Sequence, residues 1–539
     1  MRSTLFYRYL YATLKEICVR RFVSVGKSLK LLWAVFAVSA ITFPATANEL
    51  SNGGYVEGEI AVAQEVDTWT FEGDAGDIVS LQMTDENQVE FAPLLRVYSP
   101  SGTLLSSAYA HNVPRIDRLE LPESGSYTVT AQDADISGSS GDDDTGAYRI
   151  YFVKPPVSEH GALLNGSYVE QTIELGDIDS WQFDGDTGDI ISMQITDEDL
   201  AGLAPLVRIY TPSGAFLQSA FDHNVARFDR LELPESGSYT VVVQDADISG
   251  SSGYHQTGNY RIYFVKPPIN EHGFLINGGY VEETIELGDI DTWQFDGDVG
   301  DIISMQITDE DLAGLAPLVR IYTPSGAFLQ SAYDHNVARF DRLELPESGS
   351  YTVVMQDANI SGSSGHYQTG DYRIYFVKPP VDEHGSLING GYVEETIELG
   401  DIDTWQFDGD AGDIISMQIT DEDLAGLAPL VRIYTPSGAF LQSAFDHNVA
   451  RFDRLELPES GSYTVVMQDA NISGSSGHHQ TGDYRIYFMK PPVNEHGSLV
   501  NGGYVEETIE LGDIDTWQFD GDAGDIISMQ ITDEDLAGL

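Results

Sequence analysis

A segment that returns every 112 residues is the feature that most constrains the fold of this chain. NGGYVE begins at Asn52, and the same or a nearly identical hexapeptide begins at Asn165, Asn277, Asn389 and Asn501; the first interval is 113 residues long. A period of this length is too long for a solenoid unit and suits an independent domain. The sequence therefore predicts four full copies of one domain and a partial fifth.

The repeat also sets the predicted domain boundaries. They are 1–47 for a leader, then 48–161, 162–273, 274–385 and 386–497 for the full copies, and 498–539 for a truncated fifth copy. The fifth copy reaches Leu539 after the acidic ITDED segment, before the APLVRIYTPSG segment that each full copy contains. We therefore expect the sequence to be a fragment of a longer chain.

Short runs within each copy alternate apolar and polar residues with a period of two. The second copy contains eight such candidate strands: YVEQTIEL, SWQFD, DIISMQI, PLVRIY, FLQSAF, RFDRLEL, SYTVVVQD and NYRIYFV. Turns rich in glycine and aspartate separate them, and no segment has a helical pattern. The sequence predicts an all-β chain of tandem, jelly-roll-like antiparallel β-sandwich domains. Each full copy ends in Lys-Pro-Pro, so we expect semi-rigid domains joined by short linkers.

The first 47 residues differ from the rest in charge. Seven basic residues precede the apolar run Leu31–Phe43, and Ala45-Thr46-Ala47 follows as a small-x-small cleavage pattern. This order predicts a secretory signal peptide, and the 13-residue run is too short to span a membrane. We therefore expect a secreted, extracellular or cell-surface protein.

The chain beyond the leader is strongly acidic and has no cysteine. Its formal charge is −65, and Cys18 lies in the leader. The fold therefore cannot depend on disulfides. A charge of this sign repels nucleic acid and anionic membranes and suits divalent cations or cationic partners.

Several turn and core motifs together resemble the bacterial pre-peptidase C-terminal (PPC) domain. The matching segments of the second copy are DSWQFDGDTGDIISMQI, PLVRIYTPSGAFL and LELPESGSYTVVV. The residues that carry the resemblance are Asp179, Trp181, Phe183, Gly188, Asp189, Pro212, Gly214, Pro234, Gly237 and Tyr239. The resemblance implies secreted, non-catalytic modules that usually accompany extracellular proteases, with relatives that bind collagen and use calcium. No protease domain precedes the modules here, which favours adhesion or spacing.

The acidic loops raise the question of a calcium site. Candidate ligands in the second copy are Asp184, Asp186, Asp189, Asp197, Asp199, Asp245 and Asp247, repeated with small changes in the other copies. Calcium takes six to eight oxygen ligands from flexible loops. We expect DGDTGD to be a hairpin loop, with TDED at the far end of the next strand, and QDADISGSSG to lie beside TDED. The alternative is that these residues form turns and a charged surface.

The other polar and aromatic residues suggest weaker hypotheses. One hypothesis is that the basic residues of the second copy pair with carboxylates of that copy; they are Arg208, Arg227, Arg230, Arg261 and Lys266. The alternative is that Arg227 and Arg230 form a docking site for the next copy. The recurring histidines, such as His160 and His223, lack an evident partner and are interpreted as loop residues. The aromatic residues Phe221, Tyr254 and Tyr263 either stack on sugars or pack.

No catalytic motif is present in the sequence. HExxH, GxSxG, a Walker loop, a Rossmann glycine pattern and CxxC all fail to occur. We therefore predict a non-enzymatic repeat protein that binds extracellular protein matrix or polysaccharide, or acts as a surface spacer, with calcium stabilising it. Two alternatives stay open: attachment modules of a secreted peptidase whose catalytic domain lies beyond Leu539, and a carbohydrate-binding array.

Overall fold

The computed structural model describes most of the chain after the leader. The described residues are 48–86, 91–134, 144–200, 202–246, 256–310, 314–358, 368–422, 426–470 and 480–533. The predicted leader, Asp247 and Tyr254 lie outside them, so their predictions stay untested. Within these ranges no helix is long and apolar enough to cross a membrane.

Each of the four full copies is built from the same eight strands. In the first copy a short strand, β1 (Asn48–Glu49), precedes β2 (Gly54–Ile60), β3 (Asp67–Gly73), β4 (Ile78–Asp85), β5 (Pro93–Tyr98), β6 (Leu104–Tyr109), β7 (Arg115–Glu120), β8 (Gly125–Asp133) and β9 (Gly146–Val153). The second copy has β10 (Ser167–Ile173), β11 (Asp179–Gly185), β12 (Ile190–Asp197), β13 (Pro205–Tyr210), β14 (Phe216–Phe221), β15 (Val225–Glu232), β16 (Gly237–Asp245) and β17 (Gly258–Val265).

The third and fourth copies repeat this order. The third has β18 (Gly279–Ile285), β19 (Asp291–Gly297), β20 (Ile302–Asp309), β21 (Pro317–Tyr322), β22 (Phe328–Tyr333), β23 (Val337–Glu344), β24 (Gly349–Asp357) and β25 (Gly370–Val377). The fourth has β26 (Gly391–Ile397), β27 (Asp403–Gly409), β28 (Ile414–Asp421), β29 (Pro429–Tyr434), β30 (Phe440–Phe445), β31 (Val449–Glu456), β32 (Gly461–Asp469) and β33 (Gly482–Met489).

The strands of each copy form two four-stranded antiparallel sheets. In the second copy one sheet has the order β10-β17-β12-β15 and the other β11-β16-β13-β14. The prediction of an all-β chain of tandem antiparallel β-sandwiches is confirmed, and all eight candidate strands are present. The side chains between the two sheets form one core per copy, which in the second copy includes Trp181, Phe183, Met193 and Tyr239.

The predicted hairpin between SWQFD and DIISMQI is wrong. Strand β11 pairs with β16, whereas β12 pairs with β15 and β17 in the other sheet. The loop Asp186–Asp189 therefore crosses from one sheet to the other. Trp181 and Ile191 face the same core from opposite sheets, which satisfies the alternating pattern without direct strand pairing.

The segment between copies is part of the next sandwich and not a free tether. The N–H of Leu163 donates to the carbonyl of Gln182, and the N–H of Gln182 donates to the carbonyl of Gly161. Ala162 forms a parallel bridge with Gln182, and Leu163 lies in the core of the second copy. This segment covers the β11 edge of the sheet, and the expectation of domains on short linkers is corrected accordingly.

Candidate functional site

Successive copies pack directly, sheet face on sheet face. The outer face of β2-β9-β4-β7, here called the trailing face of the first copy, presents Tyr151 and Val153. The outer face of β11-β16-β13-β14, the leading face of the second copy, presents Ile178, Tyr210 and Val242. These five side chains form one buried apolar cluster. The contact between a trailing face and the next leading face is called the junction below.

A β-bulge aims two polar residues into each junction. In the second copy Ile191 of β12 pairs with Leu231 of β15, and Met193 pairs with Phe228. Two residues of β15, Asp229 and Arg230, therefore lie opposite the single residue Ser192 of β12. Arg230 has a φ of 54°, in the left-handed region. A bulge bends a strand and redirects its side chains. The guanidinium of Arg230 lies 4.2 Å from the ring centroid of Phe328 in the next copy, a cation–π contact.

An arginine on each leading face pairs with the aspartate of the β-bulge in the preceding copy. Nη2 of Arg208 lies 3.1 Å from Oδ2 of Asp117 in the first copy, and its Nη1 donates to Oε1 of Gln244 at 2.8 Å. Arg208 is 5 % exposed. Gln244 donates to Oδ1 of Asp117 at 3.4 Å. A buried guanidinium needs such partners because an isolated buried charge is costly.

The same contacts recur at the next two junctions. Arg320 pairs with Asp229 and Arg432 with Asp341, each at 2.9 Å. Burial works to raise the pKa of Asp229, but the guanidiniums of Arg320 and Arg227 outweigh it and hold that pKa below its usual value. The three junctions are therefore chemically equivalent.

Arg227 and Arg261 contact both their own copy and the next one, so the two alternatives for the arginines are not exclusive. Nη1 of Arg227 donates to the carbonyl of Asp357 in the third copy at 3.3 Å, while its other nitrogens pair with Asp229. Arg261 donates to Glu286 of the third copy and also pairs with Glu170 in its own copy. Lys266 pairs within its copy, with Asp189 at 2.9 Å.

A second recurring site lies where the intercopy segment crosses β11. The N–H of His160 donates to the carbonyl of Ser180, and its imidazole packs against the Trp181 ring in a tilted arrangement, with centroids 5.1 Å apart. Nε2 of His160 lies 3.0 Å from Oδ1 of Asp179 and 3.8 Å from Oε2 of Glu159. We call Glu159, His160 and Asp179 the His cluster. His160 lies in a loop, as predicted, but the expectation that it lacks a close partner is wrong.

The His cluster has equivalents in later copies. They are Glu271, His272 and Asp291; Glu383, His384 and Asp403; and Glu495, His496 and Asp515. In each set one atom per residue lies within 4.8 Å of the others. Nδ1 of His272 also lies 3.6 Å from Glu283, where the second copy has Gln171. The first copy has Ala47 at the position equivalent to His160, so it lacks the set.

Buried hydrogen bonds hold the carboxylate of the His cluster. Trp181 Nε1 donates to the Tyr260 hydroxyl at 2.9 Å, and that hydroxyl donates to Oδ2 of Asp179 at 2.6 Å. Asp179 is 1 % exposed. The hydrogen bond to Asp179 raises the pKa of His160. Burial and the charge of Asp179 raise the pKa of the neighbouring Asp177 to about 8.

The chemistry of the donor set fits a divalent cation. Each His cluster offers two carboxylates and one imidazole, and a further carboxyl such as Asp177 lies beside it. Burial is the first cause of the raised pKa of Asp177 and the negative charge of Asp179 the second, so a cation beside these carboxyls would favour their charged forms. The carboxylates suit calcium, and the imidazole nitrogen also suits zinc. Spacing in the sequence could not reveal this site, because Glu159 and Asp179 meet only through pairing of the intercopy segment with β11.

The first group of predicted calcium ligands braces the loop between the sheets. Oδ2 of Asp189 accepts from the N–H of Asp186 at 2.9 Å and from Lys266 Nζ at 2.9 Å. The side chains of Asp184 and Asp186 are exposed. An aspartate side chain that accepts a hydrogen bond from a backbone N–H of its own loop is typical of a turn.

The second group lies at the opposite end of β12. Oδ2 of Asp197 accepts from the N–H of Gly202, and Oδ2 of Asp199 from the N–H of Asn259. Oδ1 of Asp245 accepts from the N–H of Ala204. The loops carrying Asp197 and Asp245 therefore lie at one end of the sandwich, as expected from the sequence.

The aromatic residues fall into two environments. Tyr263 is 4 % exposed and packs in the second junction, so stacking of Tyr263 on sugars is excluded there. Phe221 ends the edge strand β14 and is 63 % exposed. The equivalent residues Tyr109, Tyr333 and Phe445 are 65 %, 65 % and 63 % exposed.

Comparison with known proteins gives no family. No protein-family profile and no curated protein matches the chain. Solved structures match the chain only distantly, and three of them illustrate this. The CUB1-EGF-CUB2 domains of rat MASP-1 match at 12 % identity and a TM-score of 0.12, over 40 % of this chain and 99 % of that one.

The other two structures match more of this chain. The M60 catalytic domain with CBM51-1 and CBM51-2 of Clostridium perfringens ZmpB matches at 10 % identity and a TM-score of 0.16, over 79 % of this chain and 55 % of that one. A Bacteroides ovatus SGBP-B protein in complex with mixed-linkage heptasaccharide matches at 13 % identity and a TM-score of 0.11. The match covers 86 % of this chain and 100 % of that one. Scores this low carry no argument about this chain.

Proposed function

We propose that this chain is a non-catalytic, exported repeat protein whose docked copies act as a spacer for extracellular binding or adhesion. The observation that carries the proposal is the recurrence of the Arg208–Asp117 contact, with its apolar surroundings, at three successive junctions. An array joined this way holds its copies in a fixed relation, which is what a spacer requires. We also propose that the copies are related to PPC modules and that residues 1–47 are a signal peptide.

The junction geometry predicts how the array lengthens. Leading and trailing faces are the outer faces of opposite sheets, so an inner copy lies between two neighbours and adds two sheet layers. Stacked sheets lie about 10 Å apart, so each copy adds about 20 Å. Deleting residues 277–388, one period, should shorten the maximum dimension in small-angle X-ray scattering by about 20 Å. An unchanged dimension would contradict the spacer.

A divalent cation belongs to the proposal as a stabilising ligand. The His clusters supply the support, because each holds more carboxyl charge than its histidine balances. Export and binding are tested with the whole protein: we expect it outside the cell and bound to matrix protein or polysaccharide without turnover. Hydrolysis of the bound polymer by the purified chain would contradict a non-catalytic role.

A carbohydrate-binding array is the second candidate. Its support is the exposed aromatic ring that each copy carries at one position, Phe221 in the second copy. Exposed rings of this kind bind sugars by stacking, in the way that aromatic side chains serve as binding anchors elsewhere. A glycan array comparing the chain with a variant that has alanine at 109, 221, 333 and 445 tests it. Equal binding by both would remove this candidate.

A further inference from the structure

The leading face of the first copy differs from the leading faces of the copies behind it. In the second copy Ile178 and Val242 are 1 % and 0 % exposed, and Phe216 packs beside them. The first copy has Val66, Thr130 and Leu104 at these positions. Val66 and Leu104 are each 48 % exposed. At these three positions the face therefore has two smaller apolar side chains and one polar side chain.

The central strand of this face also differs in sequence, and its burial follows whether another copy covers it. β16 is buried on both faces over Tyr239–Asp245, whereas β8 alternates between buried and partly buried residues. A strand buried on both sides reads as a continuous apolar run, and a strand with one solvated face alternates. Val241-Val242-Val243 in the second copy corresponds to Val129-Thr130-Ala131 in the first.

One turn in the first copy also carries a side chain where the others have none. Gly176 has a φ of +71°, and a Cβ there would lie 2.3 Å from Cγ2 of Thr84 in the preceding copy. The corresponding distances are 1.9 Å for Gly288 to Thr196 and for Gly400 to Thr308. The first copy has Gln64 at this position, with a φ of 64°. The side chain of Gln64 would therefore clash with a copy docked in front of the first copy.

An ion pair of the junction rim is missing as well. Arg149 Nη1 donates to Glu174 of the second copy at 2.9 Å, but the residue equivalent to Glu174 in the first copy is Ala61. The loop instead closes on itself: Oε2 of Glu65 accepts from the N–H groups of Ala61 and Val62. Arg96, equivalent to Arg208, is kept and donates to Gln132.

We propose that the first copy is the terminal cap of the array, with a leading face that excludes docking of another copy of this module. End units of repeat arrays differ from the inner repeats at their outer face, since an uncovered docking face is open to association. The proposal goes beyond the spacer role, because it concerns only which copy can dock on which. It assigns a direction to the array: copies can follow the first copy but cannot precede it.

The cap is tested by adding a copy in front of it. In the full chain, a second copy of residues 273–384 is inserted between Ala47 and Asn48, in register with the repeat. Spin labels are placed at cysteines that replace exposed Ser331 of the inserted copy and Ser107 of the first copy. Their distance distribution is compared with that of the Ser331–Ser443 pair in the uninserted chain, which spans an ordinary junction.

We expect a broad distribution with the cap intact. An uncapped chain, with residues 174–178 replacing 61–66 together with Leu104→Phe and Thr130→Val, should give a narrow distribution matching the ordinary junction. A narrow, matching distribution with the cap intact would overturn the proposal. A broad distribution in both chains would overturn it too, because the named residues would not be what prevents docking.

A single substitution tests the turn without an insertion. Gly288→Gln places the residue of the cap turn into the third copy, and we expect it to broaden the distance between labels on the second and third copies. Gly300→Gln is the matched control, since Gly300 has a φ of +89° and nothing within 4 Å of its Cβ position. Equal broadening in both, or none with Gly288→Gln, would contradict the role of the turn.

Discussion

Arg208 of the second copy and Asp117 of the first meet across their junction, with Nη2 of the arginine 3.1 Å from Oδ2 of the aspartate. The arginine is buried, and the aspartate sits on a β-bulge that turns it towards the next copy. Each residue also has a partner within its own copy, Gln244 for the arginine and Arg115 for the aspartate. A contact of this kind makes the relation between copies part of the fold.

Replacing the junction arginine should weaken docking more than replacing its equivalent in the first copy. Arg320→Ala removes the contacts to Asp229 at 2.9 Å and to Gln356 at 2.7 Å. Hydrogen bonds to charged groups are worth about 2 kcal/mol. We expect the opening free energy of the β24 amides, measured by native-state hydrogen exchange, to fall by about that amount.

Arg96→Ala is the matched control for that experiment. Arg96 keeps the equivalent bond to glutamine, and residues 1–47, before the first copy, do not contain the repeat. We expect the opening free energy of the β8 amides to change by about 0.5 kcal/mol or less, as for an ordinary surface substitution. Equal losses at both positions would mean that the arginine acts within its own sheet.

Calcium should stabilise the chain through the His clusters. Millimolar calcium is expected to raise the midpoint of thermal unfolding, because carboxylates crowded at low exposure gain a counter-charge. A variant with asparagine at 179, 291 and 403 should lose most of that rise. Asp67→Asn is the control, since Asp67 accepts from Tyr148 in the same way but lies in the first copy, which has Ala47 in place of the cluster histidine.

Two results would contradict this assignment differently. If the triple variant keeps the full rise, calcium binds elsewhere, and the loops carrying Asp197 and Asp245 become the place to look. If calcium neither shifts the midpoint of the unaltered chain nor binds by calorimetry, stabilisation by calcium is removed altogether.

In metal-free buffer the stability should fall as pH rises from about 5 to about 9. The pKa of Asp289 is raised from 3.8 to about 8 by burial and by Asp291, and the pKa of His384 is raised from 6.5 to about 9 by its hydrogen bond to Asp403. Folded copies thus hold protons that the unfolded chain releases, and stability decreases wherever that is so.

The variant for the pH experiment has asparagine at 177, 289 and 401. It removes the carboxyls with raised pKa, so its urea midpoint should depend less on pH over this range. A midpoint that rises with pH in the unaltered chain, or an equal slope in the variant, would show that these carboxyls are not protonated in the folded state.

The buried tyrosine that links tryptophan to aspartate should be needed for stability. Tyr372→Phe leaves Trp293 Nε1 without the acceptor that lies 3.0 Å away and removes the donor to Asp291 at 2.7 Å. An unsatisfied buried polar group costs about 1–3 kcal/mol. We expect a loss of that size in urea unfolding, against no measurable change for Tyr333→Phe, because Tyr333 is exposed and corresponds to Phe221 and Phe445.

The strands were predictable because their side-chain pattern is local, and the sandwich followed from their number and spacing. Sheet partners were not: the short loop 186–189 suggested a hairpin, yet β11 and β12 belong to different sheets. The junction had one visible signal, the unbroken apolar run Val241-Val242-Val243. The His cluster had none, because it depends on where the intercopy segment pairs.

The most direct test of docked copies is a pair of distance measurements by double electron–electron resonance. Spin labels on cysteines replacing Ser219 and Ser331 span the second junction, and labels at Ser331 and Ser443 span the third. Equivalent junctions predict two narrow distance distributions that coincide. Broad distributions, as for domains on flexible linkers, or two distributions that differ, would contradict a docked array.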